Sequence, residues 1–205
     1  MGALLIDNGL SPVEISNGND FKADLNGLGL DMVFDDGGDV LVTGEGTVVF
    51  RYHGAESSFR DQFLINGVVN GPELDPGTVL KTENNESFLF PGEVIGQIEV
   101  QAGQRFSELG IGFRVRNGDE NQQDALAGTS GFGIFFTGEQ QPEPNVLAVQ
   151  QGYEFLVFGF DDNLALDDDH DDMIVSATFI PVPEPGSLAL LGLGATCVMG
   201  RRRRG

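Results

Sequence analysis

Seven aspartates fall within twelve residues: Asp161, Asp162, Asp167, Asp168, Asp169, Asp171 and Asp172. Two unit charges 4 Å apart repel by about 4 kcal/mol at an effective dielectric near 20. Water and salt relieve this on an exposed loop. A bound divalent cation relieves it directly, and hard oxygen ligands favour Ca²⁺, which takes about 6–8 oxygens from flexible loops. Three readings stay open. The leading one is a Ca²⁺ site drawing on Asp161, Asp162, Asp169, Asp171 and Asp172. The second is an acidic loop that simply faces water. The third is a carboxylate pair for glycoside hydrolysis, which needs two groups about 5–5.5 Å or 6.5–9.5 Å apart across a sugar. Adjacent aspartates on one loop do not display such a cleft. The EF-hand spacing is absent.

Other chemistry is scarce. There are two histidines, His53 and His170, and one cysteine, Cys197. A single thiol excludes an intramolecular disulfide framework and a multi-Cys zinc site. His170 is a poor ligand for an oxygen-seeking cation. His53 reads as an ordinary, partly buried side chain at a strand end. No Gly-x-Ser-x-Gly, Walker or dinucleotide loop occurs in a fitting context; Gly110-Ile111-Gly112 sits in a strand-like run rather than before a helix.

The elements that must position the acidic loop read as strands. Short apolar runs recur between turn residues: 47–52, 63–69, 94–100, 109–115, 131–136, 153–160 and 173–180. In the last, Met173, Val175, Ala177 and Phe179 alternate with Ser176 and Thr178, a period-two pattern with one face buried. Asn66-Gly67 is a hairpin-turn signal. Thirty Gly and nine Pro leave little room for long helix. The expected fold class is all-β: a β-sandwich over residues 1–181, with jelly-roll connectivity compatible but not derivable.

The charge is unevenly placed. The 205 residues hold 32 Asp plus Glu against 11 Lys plus Arg, a formal net charge of -21. One acidic and four basic residues lie beyond Pro183, so the body carries about -24. Such a body is no nucleic-acid binder, since phosphate contacts need clustered Lys and Arg. Yet 40% of residues are hydrophobic, so a packed core is expected. The longest uncharged apolar run, Leu188 to Met199, is followed by Arg201, Arg202, Arg203 and Arg204. It is short beside the roughly 20 residues of a spanning helix. The arginines nevertheless mark a membrane interface, cytoplasmic under the positive-inside rule. A short C-terminal transmembrane helix over 182–205 is the expectation, with Cys197 as apolar filler. Residues Met1 to Asp7 lack the positive and apolar regions of a secretory signal. The tail therefore leads us to expect a trimmed start or one placed upstream.

The tail segment VPEPGSLALLGLGATCVMGRRRR resembles the PEP-CTERM sorting domain of bacterial exported proteins. Pro183, Glu184 and Pro185, the apolar run and the Arg cluster stand in that signal's order. The resemblance implies an exosortase partner, processing near Pro183-Glu184-Pro185, and transient membrane insertion. It also implies export to the cell surface or matrix, where exopolysaccharide is found. Pro142-Glu143-Pro144 lacks the following apolar run and reads as a loop. The segment 47–69 is similar to bodies often seen ahead of this tail. Gly159 to Val175 resembles calcium-associated loops of DUF4114-like extracellular domains, except that Leu164-Ala165-Leu166 replaces the usual Gly/Ser filler.

The resulting expectation is a non-enzymatic structural or adhesive surface protein, stabilised by Ca²⁺, with exopolysaccharide or other matrix proteins as partners. A carbohydrate-binding module using Tyr52, Phe59, Tyr153 or Phe160 is the alternative, weakened by the absence of Trp. A secreted hydrolase ranks below it.

Overall fold

The computed structural model describes residues 4–7, 12–34, 37–65, 78–117, 121–136, 154–161 and 169–182. In chain order the elements are β1 (Leu4–Asp7), β2 (Val13–Glu14), α1 (Lys22–Gly27), β3 (Met32–Phe34), β4 (Asp39–Val42) and β5 (Gly46–Ile65). They continue with β6 (Thr78–Glu86), β7 (Glu93–Val100), β8 (Gly112–Asn117), β9 (Asn121–Leu126), β10 (Phe132–Phe136), β11 (Phe155–Phe160) and β12 (Met173–Pro181). Among the described residues the fold is all-β apart from one short helix. Among the described residues no helix is long and apolar enough to cross a membrane. The apolar run 188–199 lies outside them.

β5 organises the chain. The expected strand 47–52 and the described part of 63–69, Phe63 to Ile65, prove to belong to this one 20-residue strand; 66–69 lie outside the described residues. Its first half lies between β12 and β7, and its second half pairs with β6 and β8. Register shifts interrupt its pairings with β7, β6 and β12, as expected where bulges bend a long strand. From β12 the sheet continues through β11, β10 and β3 to β2, while β8 leads to β9. β1 and β4 form a separate pair. β5 and β6 run antiparallel, as a hairpin signal requires, but Asn66-Gly67 itself lies outside the described residues.

Phenylalanine rings fill the main core. Phe113 on β8 stacks on Phe160 of β11 at 5.2 Å, and Phe132 on β10 lies 5.5 Å from Phe113. Phe50 meets Phe63 within β5, and Phe106 meets Phe158. Such offset and edge contacts add about 0.5–1.5 kcal/mol each beyond the area they bury.

The reading of β12 as buried on one face needs correction. Ile174 and Ser176 are buried as well as Met173, Val175 and Ala177. The second face is covered by the N-terminal segment: Ile15, Phe21 and Leu25 pack with Val33, Phe135, Val157 and Ile174. A six-residue helix is too short to be stable alone. Burial of Leu25 docks α1, and Gly29 (φ 80°) lets the chain turn back so that the Leu30 N–H reaches Leu25 O. No amphipathic stripe long enough to announce this cover exists in the sequence.

Candidate functional site

The acidic segment joins β11 to β12, so its ends are tied to the sheet. The Asp161 N–H donates to Gly131 O at 3.1 Å, and the Asp172 N–H to Phe160 O at 3.1 Å. Asp161 and Asp171 are only 1% and 2% exposed, so these two carboxylates do not belong to a wholly solvated loop. Asp169 and Asp172 are partly exposed. Asp162, Asp167 and Asp168 lie outside the described residues.

His170 takes a left-handed backbone (φ 59°), uncommon without glycine but accessible to His. Its place is made by two glycines that face each other across β10 and β11, Gly133 and Gly159. A Cβ on Gly133 would stand 2.5 Å from the His170 ring, and one on Gly159 would stand 2.2 Å from its carbonyl oxygen. The missing side chains form the trough that seats the loop.

The loop then meets two segments distant in sequence. The Asp171 carboxylate accepts the backbone N–H of Asp20, and Asp171 O accepts the Glu56 N–H at 3.0 Å. The Asn19 side-chain amide donates to Asp169 O at 2.8 Å. The Asn19 Oδ1 is buried without a hydrogen-bond partner. Asp20, Glu56, Asp169 and Asp171 thus gather at one junction. Burial, then the Asp169 charge, push the Asp171 carboxyl up to about 7, against the pull of the Asp20 N–H; Glu56 and Asp20 add to the rise. Glu56 is raised first by its hydrogen bond to the Asp20 side chain, then by burial and by the charges of Asp20 and Asp169. Two carboxyls in hydrogen-bond contact require a proton between them, or a cation in its place.

Of the five predicted metal residues, Asp169 and Asp171 are brought to this junction. Asp161 and Asp172 are anchored by their backbones to the ends of the flanking strands. Among the described residues no three His, Cys, Asp or Glu side chains are grouped closely enough to hold a metal ion. Asp20 and Glu56 were not legible as partners, since 151 residues separate Asp20 from Asp171.

His53 corrects its reading as a strand-end side chain. It lies within β5, fully buried. Its Nδ1 is 2.7 Å from Leu89 O, which can only accept, so Nδ1 carries the proton. The Ser176 hydroxyl therefore donates to Nε2, at 2.8 Å. Burial foremost holds His53 below its ordinary pKa; the Leu89 hydrogen bond opposes this and Arg51 reinforces it. This is the contact of a nucleophile and its base, but both residues have 0% exposure, so it serves as a bracket in the core. The rings proposed for sugar stacking also change. Tyr52 and Phe160 are buried, whereas Phe90 is 60% exposed and lies parallel to His53 at 6.2 Å. Tyr153 and the Phe59 side chain lie outside what is described.

β12 delivers the chain to the tail. It stays paired with β5 to Pro181, opposite Gly46, and the Val182 N–H donates to Glu45 O at 3.1 Å. Pro183, Glu184, Pro185 and Arg201 to Arg204 lie outside the described residues.

These features define a strand-rich domain followed at once by a C-terminal tail. Residues 181–204 match the PEP-CTERM protein-sorting motif, and the chain carries that motif. No curated protein and no solved structure matches the chain. The motif implies export, with membrane anchoring through the C-terminal segment before an exosortase processes it.

Proposed function

We propose that the body is a non-enzymatic structural or adhesive domain of the cell surface or biofilm matrix, built as a β-sandwich and stiffened by Ca²⁺. The sorting motif that begins where β12 ends is the observation that carries this reading. It implies that the domain is delivered outside, where a compact acidic fold remains soluble through its charge. The acidic junction is where the ion is proposed to bind, a cation there bringing together carboxylates that, among the described residues, the fold does not group closely enough to form a site. Asp169 and Asp171 stand with Asp20 and Glu56, and the buried Asn19 Oδ1 is a further hard donor. Hard oxygens in loops suit Ca²⁺ better than Mg²⁺, which demands stricter octahedral geometry. The set expected from the sequence also includes Asp161, Asp162 and Asp172, of which Asp162 lies outside the described residues. A bound cation would replace the proton shared near Glu56 and tie the 16–20 turn to β5 and to the 169–172 loop.

Calorimetry of the full chain with Ca²⁺ at mildly alkaline pH tests the ion. Heat of binding and a raised melting temperature are expected. No heat and no shift remove Ca²⁺ from the account.

The carbohydrate-binding alternative now rests on Phe90, whose exposed ring follows exposed Leu89 in the chain. A glycan array on which Phe90→Ala abolishes signals seen with the natural chain would favour it.

A further inference from the structure

The matched sorting motif starts inside the folded body. It begins at residue 181, while β12 extends through Pro181 and the next residue is still bonded to Glu45. The tether between body and apolar run is short. From Val182 to Leu188 the chain reaches at most about 20 Å when fully extended. A body of about 180 residues has a radius of gyration of about 16 Å. An enzyme embedded in the membrane and working at Pro183-Glu184-Pro185 must therefore meet the folded body.

The meeting place is an exposed strand end. Among the described residues β11 pairs with β12 as far as Thr178, followed by a bond from Phe179 N–H to Glu154 O. Ile180 and Pro181 pair with Thr47 and Gly46 of β5, and the Val182 N–H is bonded to Glu45 O just before that strand. Pro181 has no N–H to give. Ile180 and Val182 are 52% and 53% exposed, so little apolar contact would be lost if they left. Strand ends with few buried contacts and solvent-facing hydrogen bonds are the parts of a fold that open most readily.

We propose that the sorting enzyme engages this chain by peeling Ile180, Pro181 and Val182 from β5 into its own extended-peptide cleft. The exposed Ile180 and Val182 side chains and the freed edge at Glu45–Thr47 are then the surface where the body contacts that enzyme. The partner is a membrane-embedded transpeptidase that binds an extended strand, using main-chain hydrogen bonds for affinity and side-chain pockets for specificity. The inference rests on the sorting reading above and adds to it a contact between the enzyme and the fold.

The test follows cleavage of the full-length chain, by mass, in membranes with and without an exosortase. Glu45→Cys with Val182→Cys, in a Cys197→Ala background, staples the strand end. Directly opposed antiparallel residues lie about 4.5–5.5 Å apart at Cα, within disulfide range. The oxidised staple is expected to be cut at least about ten-fold more slowly than the same variant with its thiols reduced, a difference of about 1.4 kcal/mol in the barrier. A ten-residue Gly/Ser insertion between Ile180 and Pro181, which keeps 181–204 intact, is expected to be cut several-fold faster than the natural chain. Equal rates for oxidised and reduced staple, or an insertion without effect, overturn the inference while leaving the sorting reading in place. A natural chain that the enzyme does not cut overturns both.

Discussion

The carboxylate of Asp171 accepts the backbone N–H of Asp20, so the loop before the last strand holds the N-terminal cover against the sheet. Asn19 adds a second tie, to Asp169 O. Both ties lie among four acidic groups, which makes the junction sensitive to protons and to cations.

The first expectation concerns pH. Asp171 titrates near 7 in the folded chain, well above its ordinary 3.8. The folded state therefore holds a proton that the unfolded chain has already released, and stability falls as pH rises between those values. Glu56 is shifted in the same direction. His53 acts oppositely, because its lowered pKa makes acid destabilising. Melting curves of the natural chain and of Asp171→Asn, compared at each pH, cancel the His53 contribution. The natural chain should lose ground to the Asn variant as pH rises from about 4 to about 7. A constant difference contradicts the assignment.

Calcium should act where the protons are gone. At mildly alkaline pH, Ca²⁺ is expected to raise the melting temperature of the natural chain, and to do so less for Asp171→Asn. Saturation at 100 times the dissociation constant corresponds to about 2.7 kcal/mol. An equal rise in both chains would place the ion elsewhere.

The glycine trough gives a steric expectation. Gly159→Ala sets a methyl 2.2 Å from His170 O, a backbone atom that moves only with the loop. Overpacking of this kind costs about 1–3 kcal/mol. Denaturant melts should show that loss, and weaker Ca²⁺ binding should accompany it. Unchanged stability would mean that the loop is not seated on β10 and β11.

Ser176→Ala removes the hydroxyl that donates to His53 Nε2 and leaves a buried acceptor behind. The expected loss is about 1–3 kcal/mol in equilibrium unfolding. No hydrolytic activity is expected of either the natural chain or the variant. A serine-directed covalent inhibitor that labels Ser176 would contradict the structural role.

Much of this architecture was legible in the sequence. Runs such as 131–136 and 173–180 declared strands because β-branched and aromatic residues lie between turn residues. The tail declared itself because its three parts occur in a fixed order. What stayed hidden was long-range. Nothing local says that 47–52 and 63–65 share one bent strand, since bulges leave no reliable periodic mark. Alternation along 173–180 suggested one wet face, but Ile15, Phe21 and Leu25 cover it from more than 140 residues away. The aspartates of the 161–172 loop were visible as a cluster. Their partners Asp20 and Glu56 were not, because single acidic residues carry no signal of their own.

The central claim is that this chain is delivered to the surface by exosortase processing of its C-terminal motif. Intact mass of the chain recovered from the cell exterior, with the exosortase present or deleted, tests it most directly. Processing predicts a mature C-terminus near Pro183-Glu184-Pro185, without Arg201 to Arg204, only when the enzyme is present. A chain recovered outside with its arginines attached, or trimmed alike in both strains, would contradict it.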